Sequence, residues 1–244
     1  GDVADLKSVS ETETAVTIGA GVTYSRAHDA LGRVAADVGE LIRRIGSRQI
    51  RNAGTVGGNI ANGSPIGDIP PALIALGAKI VLRMGDVTRD VPLEEFFVSY
   101  GKQDRMPGEF VQSVIVPKPA SGMTFKAYKI SKRFDQDITA VLGAFAIQIA
   151  DGKVEKIRAA FGGMAGTPMR AKKCEAALIG QDWNEASLSA AQLALASDFA
   201  PMTDMRASKE YRMLVAQNLL TKLFIETSAP DIATRLVGKE AAHV

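Results

Sequence analysis

The chain has one cysteine in 244 residues, two histidines, one tryptophan and no long uninterrupted apolar run. A lone Cys174 excludes an internal disulfide. It equally excludes an iron–sulfur cluster or a structural zinc site, which take about four ligands, so any such centre must lie on another chain. Cys174 falls in the helix-like run Arg170-Ala-Lys-Lys-Cys-Glu-Ala-Ala-Leu and reads as a small core or half-exposed thiol, not a nucleophile. His28, on the polar side of a predicted helix, and His243, near the C-terminus, read as surface residues, so neither is placed for acid–base work. An excess of one charge is missing too: 29 Lys and Arg against 27 Asp and Glu leave +2, which argues against nucleic acid and anionic membranes as partners. With no apolar stretch of about 18 residues and no signal-peptide pattern, a soluble, cytoplasmic protein is expected. The first residue is Gly1, not Met, and the chain runs directly into a strand-like segment, as a piece of a longer polypeptide would.

What is present is ample apolar content, 46 %, enough for a full core in one large or two modest domains. Residues 14–19 alternate as a strand. A helix follows, with Leu31, Val34, Ala35, Val38, Leu41, Ile42 and Ile45 on one face and Thr23 or Ser25 as its cap. Asp68 can cap a short helix that has Pro70 and Pro71 in its first turn and Gly77 at its end. Residues 78–83 and 87–91 read as a hairpin about Gly85-Asp86, 93–97 as a short helix and 110–116 as a strand. Pro117-Lys-Pro-Ala-Ser-Gly122 suits a linker. Beyond it lie predicted strands at 124–130, 140–149 and 154–161, the last two joined by Asp151-Gly152, then helices near 170–179, 185–198 and 206–226. The pattern is α+β, strands first and helices after, with a polar, loosely held tail from Ala229.

The densest feature is the stretch from Asn52 to Asp68, with five glycines in seventeen residues. Glycine permits positive φ and close backbone approach, and successive exposed N–H groups in such a loop form a concave site for anions and polar ring edges. Gly58 and Gly63 have phosphate-loop spacing, but Ser64-Pro65 follows where Lys and Ser/Thr are needed, which excludes an ATPase or GTPase. Gly19-Ala-Gly21 lacks the third glycine of a dinucleotide fingerprint, Tyr24 standing there. A loop whose glycines only relieve strain is the bland alternative. Asn52, Asn59 and Asn62, with the hydroxyls of Thr55 and Ser64, instead offer directed hydrogen bonds suited to a flat, polar-edged ligand.

The run Ala53-Gly-Thr-Val-Gly-Gly-Asn-Ile-Ala-Asn-Gly-Ser-Pro-Ile-Gly-Asp68, preceded by Gln49-Ile-Arg-Asn, resembles the FAD-binding motif of the molybdenum hydroxylase flavoproteins, and its Ser64-Pro-Ile-Gly-Asp68 end is most similar to xanthine dehydrogenases. Ala160-Phe-Gly-Gly-Met-Ala-Gly-Thr-Pro-Met-Arg170 and Arg206-Ala-Ser-Lys-Glu-Tyr-Arg212 resemble that family's C-terminal domain. The resemblance implies part of a vanillyl-alcohol-oxidase/PCMH-type FAD-binding domain at 1–119, an α+β C-terminal domain of antiparallel sheet plus helices at 120–228, and the tail at 229–244. It also implies that Ala53, Gly54, Thr55, Gly57, Gly58 and Asn59 line FAD, with Asn62, Ser64 and Asp68 close by. In the same way Thr55 would reach the diphosphate, Asp68 the ribityl or adenosine hydroxyls, Val111 the flavin or adenine, and Lys129 the isoalloxazine ring. Tyr100, Arg133 and Asp135 are the implied NAD-site candidates. Ile45 departs from the phenylalanine that mammalian relatives place over the ring.

The family's first FAD subdomain and two iron–sulfur domains precede the stretch matched here, so this segment alone is expected to bind FAD weakly. Electrons from purine hydroxylation at a molybdenum cofactor on a partner chain would pass through 2Fe–2S clusters, on other chains or segments, to FAD and on to NAD, in a heterotetrameric assembly. The alternatives are the medium subunit of a carbon monoxide, aldehyde or nicotinate hydroxylase, and a cofactor-free interaction domain of the same fold.

Overall fold

A computed structural model of the chain describes residues 3–234. His243 and all but the first six residues of the expected tail lie outside the described residues. A short 3-10 turn at Ala4–Lys7 leads into β1 (Val9–Glu11) and β2 (Ala15–Gly19). Four helices follow: α1 (Tyr24–Val34), α2 (Ala36–Arg44), α3 (Arg48–Ala53) and α4 (Val56–Asn62). After them come α5 (Ile69–Ala75), the hairpin β3 (Lys79–Met84) and β4 (Val87–Pro92), α6 (Leu93–Phe96), the small pair β5 (Phe97–Ser99) and β6 (Lys102–Gln103), and β7 (Phe110–Pro117). The remainder is β8 (Met123–Ser131), β9 (Thr139–Ala150), β10 (Lys153–Gly162), β11 (Met169–Arg170), α7 (Lys172–Leu178), α8 (Glu185–Asp198) and α9 (Lys209–Ser228).

The first sheet is antiparallel in the order β1-β2-β7-β3-β4. Its register aligns Ile18, Val114, Ile80 and Val91 into one buried row, the period-2 consequence of their alternation in sequence. Leu31, Ile42, Ile60 and Leu73 from the helices close over that row, each such side chain stabilising the fold by roughly 1.5–3 kcal/mol.

The single amphipathic helix expected through Ile45 is instead two. Ala35 adopts an extended conformation (φ −156°, ψ 125°), and α1 and α2 meet where a Cβ on Gly39 would sit 3.2 Å from Gly32 Cα. The apolar positions still share one core; the chain turns so that both helices reach it. Neither Thr23 nor Ser25 caps α1: Thr23 makes no side-chain cap bond and Ser25 donates to Asn52 Oδ1 at 2.5 Å.

The second sheet has the order β11-β10-β9-β8. Its central strand β9 is apolar almost throughout because both faces are covered. Leu142 and Ala144 join the first core beside α5, while Val141, Phe145 and Ile147 pack with residues of α7, α8 and α9. Asn184 and Ser187 form a capping box that starts α8, and Ser208 accepts from Tyr211 N to start α9. The first residues of the tail are not loose: Lys222 Nζ donates to Thr234 O at 2.6 Å and Thr234 Oγ1 donates to Glu226 at 2.5 Å.

The two sheets are tied together by charge and by close backbone contact. Arg158 donates to Ile74 O at 2.8 Å and to Glu94, and Arg170 bridges Glu94 at 3.0 Å and Glu175 at 2.5 Å. Gly163, at φ +78°, donates to Pro65 O at 2.7 Å, and a Cβ on Gly162 would lie 3.1 Å from Pro71.

One latch is sensitive to acid. Glu109, buried beside β7, accepts both guanidinium arms of Arg89 at 2.8 and 2.9 Å and Met106 N at 2.7 Å. Those donors lower its carboxyl from the ordinary 4.5 to about 2. The stabilisation it supplies is therefore complete above pH 4.5 and is lost as pH falls toward 2. Glu109→Gln should flatten the acid limb of the melting profile over that window and leave the neutral slope unchanged.

Candidate functional site

The glycine-rich stretch is mostly helical, which corrects the loop expected from its composition. Gly54 is extended, and its carbonyl accepts from Tyr24 N at 3.0 Å. Thr55 is the N-cap of α4, its hydroxyl accepting from Gly58 N at 3.1 Å, and Gly63, at φ +62°, terminates that helix in the left-handed conformation. α4 lies directly on the β2–α1 turn, where a Cβ on Gly57 would come within 2.4 Å of Ala20 Cβ and 2.8 Å of Ala20 O. The cradle of free amides expected here is not present. Val56 N donates to Val22 O, Gly57 N to Ala20 O and Asn59 N to Thr55 O, at 3.0, 3.2 and 3.0 Å.

Small residues nevertheless remain at the surface. Ala53, Gly58 and Asn62 are exposed, and Thr55 retains its hydroxyl proton for a further acceptor because the oxygen is the acceptor in its cap bond. Behind them Asn59 Oδ1 is buried with no hydrogen-bond partner among the described residues, beside Gly67. Ser64 is half-buried in the turn ahead of Asp68, its hydroxyl near Ile66 N at 3.4 Å.

Asp68 occupies the N-cap position of α5 but makes no cap bond, contrary to the expectation. Its carboxylate turns inward instead. Oδ2 meets Lys129 Nζ at 2.5 Å and Oδ1 accepts from Thr139 Oγ1. The Lys129 side chain is 2 % exposed and that of Asp68 10 %, so the carboxylate is the outer member of the pair. Tyr24 stands near this cluster. Its phenol is buried with no hydrogen-bond partner among the described residues, and burial first, then the Asp68 charge, pushes it well above the usual tyrosine range.

Val111 lies on β7 opposite Leu82, buried in the first core. Next to it Gln112 is the extra residue of a β-bulge; its carbonyl accepts from Ala20 N at 2.9 Å, fixing the turn on which α4 rests. The remaining candidates sit elsewhere. Tyr100 is 77 % exposed at the β5–β6 turn beside Gly166. Arg133 and Asp135 are on the β8–β9 loop, pairing with Asp137 at 3.2 Å and Arg43 at 3.4 Å. Arg44 secures the same loop by donating to Phe134 O at 2.7 Å and Lys129 O at 3.2 Å. A cavity of about 330 Å³ opens there, lined by Arg44, Tyr128, Ile130, Phe134, Leu219 and Lys222. Thr139, Tyr24, Arg43 and Arg44 were not singled out from sequence, since nothing local marks residues whose partners are tens of positions away.

Comparison with known proteins yields consistent matches. Residues 1–119 match the family described as "FAD binding domain in molybdopterin dehydrogenase", and residues 126–227 match "CO dehydrogenase flavoprotein C-terminal domain". The xanthine dehydrogenase/oxidase of Gallus gallus is 32 % identical over 91 % of this chain, which spans only 17 % of that relative's length. The glyceraldehyde dehydrogenase medium chain of Sulfolobus acidocaldarius is 32 % identical over 92 % of this chain and 80 % of its own. Among solved structures, reconstituted CO dehydrogenase from Oligotropha carboxidovorans superposes with a TM-score of 0.84 at 28 % identity, over 91 % of this chain and 78 % of that one.

Proposed function

Since the chain belongs to the flavoprotein family of the molybdenum hydroxylases, we propose that it holds FAD against the surface of α3 and α4 and acts as the flavin unit of a larger oxidoreductase. The observation that carries this reading is the face formed by Ala53, Thr55, Gly58 and Asn62, free of bulky side chains, with the buried Asn59 Oδ1 that has no hydrogen-bond partner among the described residues. These residues fit the group: close approach needs absent side chains, and the Thr55 hydroxyl has a proton to give a diphosphate oxygen. FAD, when bound, supplies the exchange between one-electron and two-electron transfer that iron–sulfur centres and nicotinamide cannot make with each other. Asp68 and Lys129 present a fixed charge pair at the same site. Gly54, Gly57 and Val111 act behind it, Gly57 by letting α4 rest on Ala20. Residues 1–119 form the FAD-holding domain in this reading and 120–228 the C-terminal domain.

The finer reading is the flavin half-reaction of a xanthine dehydrogenase, with electrons arriving from purine hydroxylation on a molybdenum-binding large subunit through iron–sulfur clusters and leaving to NAD. Ser64-Pro-Ile-Gly-Asp68 supports it, and Tyr100, Arg133 and Asp135 are the candidate NAD contacts. The second reading, a medium subunit serving an aldehyde or carbon monoxide hydroxylase, is favoured by the 80 % coverage of the Sulfolobus medium chain. Among the described residues no helix is long and apolar enough to cross a membrane, and a place in the cytoplasm is part of the proposal.

The test is the absorbance spectrum of the protein purified with its partner chains, followed by extraction of the cofactor. A flavin band and recovered FAD are expected; their absence would overturn the proposal. Reduction of that flavin by hypoxanthine, but not by aldehydes or carbon monoxide, with NAD as acceptor, selects the first reading over the second.

A further inference from the structure

Thr139 faces the wrong way for its place in the sequence. Along β9, Leu142 and Ala144 face the first core while Val141, Phe145 and Ile147 face the second, so plain alternation would send residue 139 to the second core. A β-bulge reverses it. Ile130 pairs with Val141 but Ser131 pairs with Thr139, leaving Ala140 as the extra residue. The bulge is fixed from outside: Arg212, 3 % exposed, donates through Nη1 to Ala140 O and to Gly163 O at 2.9 Å, and through Nη2 to Asp204 at 2.7 Å. The outcome is a Thr139 hydroxyl, 1 % exposed, that donates to Asp68 Oδ1.

An ammonium on one oxygen leaves a carboxylate free to swing about its Cβ–Cγ bond, whereas a second donor on the other oxygen fixes its plane. Asp68 takes no orientation from a helix-capping bond, so these two donors are what hold it. The groups facing the Asp68 carboxylate are Tyr24 from α1, Lys129 from β8 and Thr139 from β9, and among the described residues the Tyr24 hydroxyl makes no bond that could replace Thr139.

We propose that Thr139 is a positioning residue: its hydroxyl fixes the Asp68 carboxylate, and through it the Lys129 ammonium, in the orientation presented to FAD. This rests on the FAD reading above. A locked charge pair acts on a cofactor without first having to reorganise, which is what a supporting hydrogen bond supplies to a site.

The test compares wild type, Thr139→Val and Thr139→Ser in the protein with its partner chains, reading the FAD dissociation constant, the flavin midpoint potential and the melting temperature of the FAD-depleted form. Thr139→Val should weaken FAD binding about tenfold, the scale of one hydrogen bond to a charged group, and move the potential in the direction that Lys129→Met moves it. Thr139→Ser should return both toward wild type. Thr139→Ala takes the place of valine if that variant does not fold, with the same expectation. Unchanged affinity and potential in Thr139→Val, or a serine variant as impaired as the valine one, would overturn the assignment. A wild type that retains no FAD would overturn the FAD reading itself and Thr139's role with it.

Discussion

Lys129→Met is expected to cost the fold about 3–5 kcal/mol, because it strips the partner from a carboxylate that is itself nearly out of water. The loss comes less from the missing attraction than from the charge left behind. Asp68→Asn placed on top of Lys129→Met should therefore recover much of the stability, since the remaining group is then neutral and Thr139 can still hydrogen-bond to it. Denaturant midpoints of the two single variants and the double give the coupling directly. In the FAD-loaded protein the same change should lower the flavin potential. The pair as a whole is neutral; removing the ammonium leaves a net negative charge at the site proposed for a flavin, whose ring gains negative charge on reduction. A Lys129→Met protein with unchanged midpoint and unchanged potential would make this lysine a bystander.

Two adjacent glycines should behave oppositely. In Gly57→Ala the new methyl would lie 2.4 Å from Ala20 Cβ and 2.8 Å from Ala20 O, and since backbone is involved α4 must move off the β2–α1 turn. About 3 kcal/mol of destabilisation is expected. In Gly58→Ala the nearest atom is the Thr55 hydroxyl at 2.7 Å, which can rotate, and the position is exposed. Loss of the cap bond and gain in helix propensity, each about 1 kcal/mol, nearly cancel. Stability should stay close to wild type, while FAD affinity falls about tenfold or more as a methyl enters the surface proposed to receive it. Thermal melts and FAD titration of the two variants separate them; a Gly57→Ala protein melting like wild type would remove the close-packing account.

Much of the architecture was readable in the sequence because local signals and burial agree there. The Asp151-Gly152 hairpin has both residues at positive φ, 50° and 73°, and Glu185–Asp198 forms a helix over the range expected. The misses share one cause, tertiary packing overriding local preference. Glycines at 57 and 58 disfavour a helix by about 1 kcal/mol each, yet α4 forms because only a residue without a side chain can lie that close to Ala20. The break at Ala35 has no proline or glycine to announce it. Composition picks out the run that carries the candidate surface, but not the buried Asp68–Lys129–Thr139 cluster. Asp68 meets Lys129 and Thr139 across 61 and 71 residues of sequence, and the bulge that turns Thr139 toward it depends on Arg212 far downstream.

The bond from Gly163 N to Pro65 O has a consequence in time. During synthesis Pro65 emerges 98 residues before its partner, since 163 − 65 = 98. At about 5–20 residues per second, the turn that leads into Asp68 waits roughly 5–20 s on the nascent chain without the strand that braces it. The surface proposed for the cofactor is finished late, once β9 and β10 have paired, so a flavin that met the emerging chain earlier would find an unanchored Asp68.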